Sequence, residues 1–446
     1  MAGTSHGDTS PMGRTLLVTA NVGSVFEDPT TMLKSWTEAF FKQADITLAP
    51  ILLQAVSSEK PVFIALHLQE VGGKNYETSM EFLPQFIESL LNSTQFEDFD
   101  RAFVLLDEDY NCAESFTALG NAYFIHKDVE TAEMWDFSDK KYMKVVGREI
   151  HGGNIEDLPL KEKAKFPLDF FPECPSIYCL NRRRALMHTL QRFEVDDLPK
   201  IPLFLFGDFN FRPDTQGAID KLTDGLQKFV EEVEDDEVWR FGDAQSLKLV
   251  VGKKDFVLEN HDEFFQNDNG SWLREFEYEL ESFEGNLHEM PIQFPPTYPY
   301  LEQLEAPSSF MQTRCPAWCD RILMSQSAQR HFIDGDSDSV QYNMVGRGLY
   351  TGDHKPVYLS FLLQQVEAVP GTEHTTSELV GSPCLPADHQ ICVIADVWER
   401  PQYIPQDSVI SDTGAEDTAP ECPISVTYYD MTHPDVGHVI LRETTV

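Results

Sequence analysis

Three short stretches carry side chains whose types and spacing suit hydrolysis of a phosphoester. In Phe206-Gly207-Asp208-Phe209-Asn210-Phe211-Arg212 a carboxylate and a carboxamide stand two residues apart, so an extended segment projects both to one side. An acceptor and a donor so placed can hold a water and take its proton, which is general base chemistry. Gly352-Asp353-His354 adds an acid and a histidine, and Asp320 lies in a third stretch, Trp318-Cys319-Asp320-Arg321. A carboxylate such as Asp320 set beside His354 raises the imidazole's pKa and keeps it charged, a cation suited to phosphoryl oxygens. Glu70, Asp353 and Asn21 supply oxygen ligands of the kind Mg²⁺ takes, alongside water and substrate phosphate. Phosphoesters resist hydrolysis so strongly that metal, base and cation are all called for.

These residues are far apart in sequence, and most border an apolar run. Thr15 to Ala20 leads to Asn21, Pro61 to Leu68 leads to Gln69-Glu70, Leu203 to Phe206 precedes Gly207, and Pro356 to Leu363 follows His354 almost directly. Short apolar runs of this kind predict buried strands, and one layered α/β core can bring their ends into one cleft. Phe103 to Leu106 and Leu119 to Ile125 predict further strands, with Asn111 to Glu114 as a turn. Helical spacing marks Met32 to Ile51 and Met80 to Leu91, and Asn181 to Arg184 opens another helix through Leu186 and Leu190, its arginines read as a solvated face. Glu231 to Glu237 reads as exposed helix, and Trp272, Phe276, Leu280 and Phe283 as a core stripe. The proline-rich Phe294 to Tyr300 fits neither helix nor central strand, so it reads as an extended segment delivering the chain towards Trp318. Met134 to Asp169 yields no assignment.

Composition excludes more than it proves. A net charge of -40 on 446 residues repels nucleic acid and anionic membrane, so an anionic substrate needs a local basic pocket or a bound metal. Eight irregularly spaced cysteines argue against a disulfide framework and fit a reducing compartment, and Cys315 with Cys319 reads as a pair of buried thiols. Met1 to Arg14 lacks a signal-peptide core, and no apolar run approaches the roughly 20 residues of a membrane span. A cytoplasmic protein is expected. The expected organisation is a polar tail over 1–14, a catalytic domain over 15–365, a linker over 366–390 and a tail over 391–446. That tail reads as a small β unit or, by a slight balance, as disorder, with strand-like runs at Ile391 to Val397 and Ile424 to Met431.

The motifs Leu68-Gln69-Glu70, Gly207-Asp208-Phe209-Asn210-Phe211-Arg212, Pro316-Ala317-Trp318-Cys319-Asp320-Arg321-Ile322-Leu323 and Gly352-Asp353-His354-Lys355-Pro356-Val357 resemble the signatures of the inositol polyphosphate 5-phosphatases. Gly72 to Tyr76, Phe166-Pro167, Phe171 to Cys174 and Phe294 to Tyr300 are similar to the type I subfamily. The resemblance covers about Leu16 to Leu363. It implies a four-layer α/β sandwich of the DNase I and endonuclease-exonuclease-phosphatase type. It also implies Mg²⁺-dependent removal of the 5-phosphate from soluble inositol 1,4,5-trisphosphate and inositol 1,3,4,5-tetrakisphosphate, ending a calcium-release signal. The roles it implies are catalysis for Asp208, Asn210, Asp320 and His354, metal binding for Glu70, Asn21 and Asp353, and substrate-phosphate contact for Arg212, Arg321 and Lys355.

Two departures from that pattern stand out. Family members carry a basic segment and a strand bearing Asn-x-His-Leu after the Phe-Pro-Glu-Cys motif, whereas here Cys174 is followed by Pro175-Ser176-Ile177-Tyr178 and Arg182-Arg183-Arg184. That gap supports a competing reading, an inactive relative that binds inositol phosphates or a protein partner. A nuclease on the same fold is opposed by the acidity. The chain also ends Arg442-Glu443-Thr444-Thr445-Val446 in place of a prenylated cysteine box, so peripheral plasma-membrane attachment loses its usual anchor and Thr444-x-Val446 fits a PDZ-domain ligand.

Overall fold

The structure is a computed structural model. It describes residues 13–26, 61–93, 96–111, 116–136, 141–153, 202–233, 236–242, 247–283, 285–333, 339–348 and 350–363, with short pieces of 161–190 and 390–445. In chain order the elements that matter here are β1 (Gly13–Asn21), β2 (Pro61–Gln69), α1 (Leu83–Leu91), β3 (Arg101–Asp107) and β4 (Gly120–Ile125). They continue with β5 (Arg148–Gly153), β6 (Leu203–Asp208), α2 (Thr215–Leu222), β7 (Asp320–Met324), β8 (Gln341–Met344), β9 (Val357–Leu363) and β10 (Gln390–Ile394).

Two sheets form the interior. The first has strand order β8-β9-β1-β2-β4-β3-β5, and the second places β7, β6 and β10 side by side between His288–Glu289 and His438–Leu441. Alternation along each strand divides the apolar residues between faces. Leu17, Phe63, Ala65, Phe103 and Tyr123 of the first sheet join Phe204, Phe206, Ile322 and Met324 of the second in one buried cluster. The opposite face of the first sheet, through Leu16, Val18, Ile64 and Leu66, packs against Leu83, Phe86, Ile87 and Leu90 of α1. Residues three and four apart on α1 make that single apolar stripe. These are the two β layers and one helical layer of the expected sandwich.

His67 ties the layers in register. Its ring stacks on Phe206 at 3.7 Å between centroids, while Nδ1 lies 3.3 Å from the Phe206 carbonyl oxygen and Nε2 lies 3.3 Å from the Tyr123 hydroxyl. The end of β2 is thereby fixed beside the end of β6.

Several expectations need correction. The described residues of Glu231 to Glu237 belong to two antiparallel strands, Gln227–Val233 paired with Asp236–Gly242. The β-branched and aromatic residues Phe229, Val230, Val233, Val238, Trp239 and Phe241 outweigh the acidic run. Arg182 is buried, as are Leu186 and Leu190 four and eight residues further on, whereas Arg183 is exposed, and Arg184 lies outside the described residues. The polar tail ends before Gly13, where β1 begins. Gln390–Ile394 joins the second sheet parallel to β6, because the edge of β6 offers unpaired backbone groups that a strand-like run can satisfy. Glu443–Thr445 pairs in parallel with Lys161–Lys163. Met134 to Asp169, left unassigned, contains strands at Glu133–Asp136, Lys141–Lys144 and Arg148–Gly153. The predicted helix over Met32 to Ile51, the gap after Cys174, the strand at Ile424 to Met431 and most of the linker lie outside the described residues.

One buried histidine makes this fold acid-sensitive. His261 is 3% exposed among Phe256, Phe265 and Phe310, and burial pulls its pKa down to about 4. The unfolded chain therefore binds the proton more readily, so stability present above about pH 6.5 is lost as pH falls to 4. That loss is about 3 kcal/mol from this group. In thermal melts between pH 4 and 7, His261→Phe is expected to flatten the acid side of the profile; an identical slope in both proteins would refute this.

Candidate active site

The strand registers deliver the polar residues to one edge. β1 and β2 run parallel with Asn21 opposite Gln69, so their carboxyl ends coincide. β9 runs antiparallel to β1 with Val357 opposite Thr19, which sets Gly352-Asp353-His354 at that same end. In the second sheet Asp320 begins β7 directly opposite Asp208 at the end of β6.

Asp208, 1% exposed, is held from both oxygens. Oδ1 accepts the Asn210 backbone N–H at 2.9 Å, and Oδ2 accepts from Asn21 Nδ2 at 3.3 Å while lying 3.8 Å from His354 Nε2. His354 Nδ1 donates to Asp320 Oδ2 at 3.0 Å, and the Thr297 hydroxyl donates to the same oxygen at 2.7 Å. Burial alone would depress the His354 pKa, but Asp320 and Asp208 overcome it and hold the imidazole well above its ordinary range. That direction favours the charged form of the ring. Burial raises Asp320 in turn, opposed by His354.

Glu70 sits on the other side of Asn21. Burial, with the neighbouring charge of Asp353, raises its pKa to about 7, opposed by His354 and an Asn21 hydrogen bond. The Asn21 Oδ1 accepts the Gly23 N–H at 3.1 Å, and a Cβ at Gly23 would fall 2.4 Å from Glu70 Oε2. Only glycine allows that approach. Glu70 and Asn210 both adopt left-handed backbone, at φ 54° and 52°, strain that tends to be kept where the chain must aim a side chain. The Ser24 hydroxyl donates to Glu302 at 2.7 Å and lies 3.4 Å from Asp353 Oδ1, accepting the Asp353 backbone N–H at 3.4 Å.

Glu70, Asp353 and the Asn21 carboxamide oxygen, which also accepts the Gly23 N–H, are oxygen donors that could hold a hard divalent cation. Asp208, Asp320 and His354 also lie close enough to share an ion. There, however, the histidine Nδ1 is committed to Asp320 and the imidazole is charged, so that trio is read as the acid–base centre.

Human inositol polyphosphate-5-phosphatase A is 38% identical over 399 positions, covering 79% of this chain and 94% of its own length. The chain belongs to the inositol polyphosphate 5-phosphatase family. It is accordingly a phosphoric monoester hydrolase with an α/β sandwich of the endonuclease-exonuclease-phosphatase type, and the family model described as Endonuclease/Exonuclease/phosphatase family 2 matches residues 256–360. A probable type I inositol 1,4,5-trisphosphate 5-phosphatase of Caenorhabditis elegans is 31% identical, covering 78% of this chain and 98% of its own. The inositol polyphosphate 5-phosphatase domain of SPSynaptojanin aligns with a TM-score of 0.34 at 13% identity, over 79% of this chain and 84% of that one. Of the 399 positions aligned with the human protein this phosphatase fills about 352, which is 79% of 446, so about 47 have no counterpart here.

The basic residues of the phosphatase are placed unequally. Arg212 is half-buried over the Tyr298 ring at 4.4 Å, with Nη2 donating to Asn210 Oδ1 at 2.7 Å and Nη1 to Cys319 Sγ at 3.1 Å. Arg321, 3% exposed, is taken by Glu289 in a two-pronged pair at 2.7 and 2.5 Å and by Glu277 at 2.9 Å. Lys355 is fully buried, 4.7 Å from the Tyr300 ring centroid, and burial lowers its pKa to about 7. Cys315 and Cys319 are buried thiols. Thr297, Ser24 and Glu279 escaped the sequence reading. The extended stretch Phe294 to Tyr300 was the available signal for Thr297, since it bridges to Ala317 and so brings that hydroxyl against Asp320.

Proposed function

We propose that this phosphatase removes the 5-phosphate from soluble inositol 1,4,5-trisphosphate and inositol 1,3,4,5-tetrakisphosphate in a Mg²⁺-dependent reaction in the cytoplasm, ending a calcium signal. The observation that carries this reading is Asp208 set between Asn21 and a charged His354, which Asp320 supports from behind. Asp208 accepts the proton of the attacking water, and Asn210 orients that water through Nδ2, which has no other partner among the described residues. His354⁺ donates to a phosphoryl oxygen, stabilising charge that grows in the transition state. Glu70, with Asn21 and Asp353, would hold Mg²⁺, which supplies charge neutralisation at the phosphoryl group when bound. Arg212 is the substrate contact best placed of the three basic candidates, being half-buried where Arg321 and Lys355 are buried.

The test is phosphate release from inositol 1,4,5-trisphosphate by the purified chain with Mg²⁺, with EDTA, and with Asp208→Ala. Release that both EDTA and the substitution abolish is the expected result. The missing Asn-x-His-Leu motif favours a second reading, binding without turnover, and a folded chain that binds the substrate but releases no phosphate would establish it. Release that persists in EDTA would remove the metal from the proposal.

A further inference from the structure

Glu279 lies outside every motif read from the sequence, yet it grips the reactive turn from behind. Its Oε1 accepts the Arg212 backbone N–H at 2.9 Å and Arg182 Nη2 at 2.5 Å, while Oε2 accepts Arg182 Nε at 2.8 Å. Both side chains of the pair are 8% exposed, so the two-pronged contact is shielded from water. One carboxylate thus joins the helical residues around Arg182 to the segment that follows β6.

The connection continues to the reacting atoms. Arg212 Nη2 donates to Asn210 Oδ1, and the guanidinium is braced on Tyr298. A carboxamide can turn over with little change in shape, exchanging its acceptor for its donor. With Oδ1 held by Arg212, Asn210 must present Nδ2, the group that remains buried and unpartnered among the described residues. Turned the other way, it would set an acceptor against phosphoryl oxygens and two donors against Arg212.

We propose that Glu279, clamped by Arg182, is a positioning residue that fixes Arg212 and through it the donor-forward orientation of Asn210. The inference rests on the catalytic reading of Asp208 and Asn210 above. Loss of the clamp loosens an orientation without removing a reacting group, an effect of about 10- to 100-fold in kcat.

The experiment measures kcat and KM for Glu279→Ala, for Glu279→Gln, and for Glu279→Ala combined with Arg182→Met, which removes the clamp without stranding a buried charge. The two variants carrying alanine at position 279 are expected to lose about 10- to 100-fold in kcat with KM within about threefold, and Glu279→Gln, which keeps an acceptor for the Arg212 N–H, to stay within about threefold of the parent. In an Asn210→Ala background the Glu279→Ala loss should disappear, since residues acting through one another are not additive. The same fold-loss in both backgrounds would overturn the proposal. Independently of turnover, in protein labelled with ¹⁵N at asparagine, the side-chain amide signal that vanishes in Asn210→Ala should shift or broaden when the clamp is removed. An unmoved signal overturns the positioning role, whereas a shifted signal in a parent chain without turnover sustains it and rejects the catalytic reading alone.

Discussion

Asp208→Asn is expected to lower kcat by about 10³-fold while leaving KM within about threefold. The carboxylate takes a hydrogen bond from Asn21, as Glu70 also does, and it lies 3.8 Å from His354 Nε2. An amide at this position cannot accept the water's proton. It also cannot satisfy its neighbours, because Asn210 N–H and Asn21 Nδ2 both donate to the present carboxylate. Whichever way the amide faces, its NH₂ meets one donor, a cost of about 1–3 kcal/mol. The variant should therefore melt slightly below the parent but remain folded at 25 °C, so that steady-state phosphate release reads chemistry and a parallel melt reads folding. Retention of more than a tenth of kcat would mean that another group takes the proton.

Why Asp208 was legible in the sequence and Glu279 was not is a matter of distance along the chain. Asp208 and Asn210 stand two residues apart at the end of an apolar run, which marks them locally, although a left-handed turn at Asn210 that folds its N–H onto Asp208 Oδ1, and not extended backbone, sets their orientation. Asn21, Glu70, Asp320 and His354 each carry the same local mark, a polar residue at a strand border, and parallel or antiparallel register then brings the borders together. Arg182 and Glu279 are 97 residues apart and carry no such mark. Arg182 stands in a run of three arginines, Glu279 beside a stripe of aromatic residues, and only tertiary packing makes them partners. The antiparallel pair Gln227–Val233 and Asp236–Gly242 was misread for the opposite reason: local charge was weighed above the run of β-branched and aromatic residues Phe229, Val230, Val233, Val238, Trp239 and Phe241. Thr297 lies between these cases, since prolines announced an extended segment but not the hydrogen bond that segment delivers to Asp320.

Arg321→Met is expected to destabilise the fold by about 3–5 kcal/mol while leaving KM for the substrate close to that of the parent protein. The motif containing Arg321 suggests a substrate-phosphate contact, but the guanidinium is enclosed. Glu289 holds it with both oxygens, Glu277 holds it with a third contact, and the Tyr342 hydroxyl donates to Glu289 at 2.6 Å. Burial pushes the Glu277 pKa up against the pull of Arg321, so losing the cation leaves Glu277 and Glu289 buried without their shared partner. A phosphate reaching Arg321 would have to displace carboxylates that are already desolvated. The distinguishing measurement is a urea melt beside a substrate titration. Combining Arg321→Met with Glu289→Leu should recover part of the lost stability, because removing both partners of a buried pair costs less than stranding one. A variant that melts like the parent but shows KM raised about tenfold or more would return Arg321 to the substrate, and the buried carboxylates would then be its resting partners and not its permanent ones.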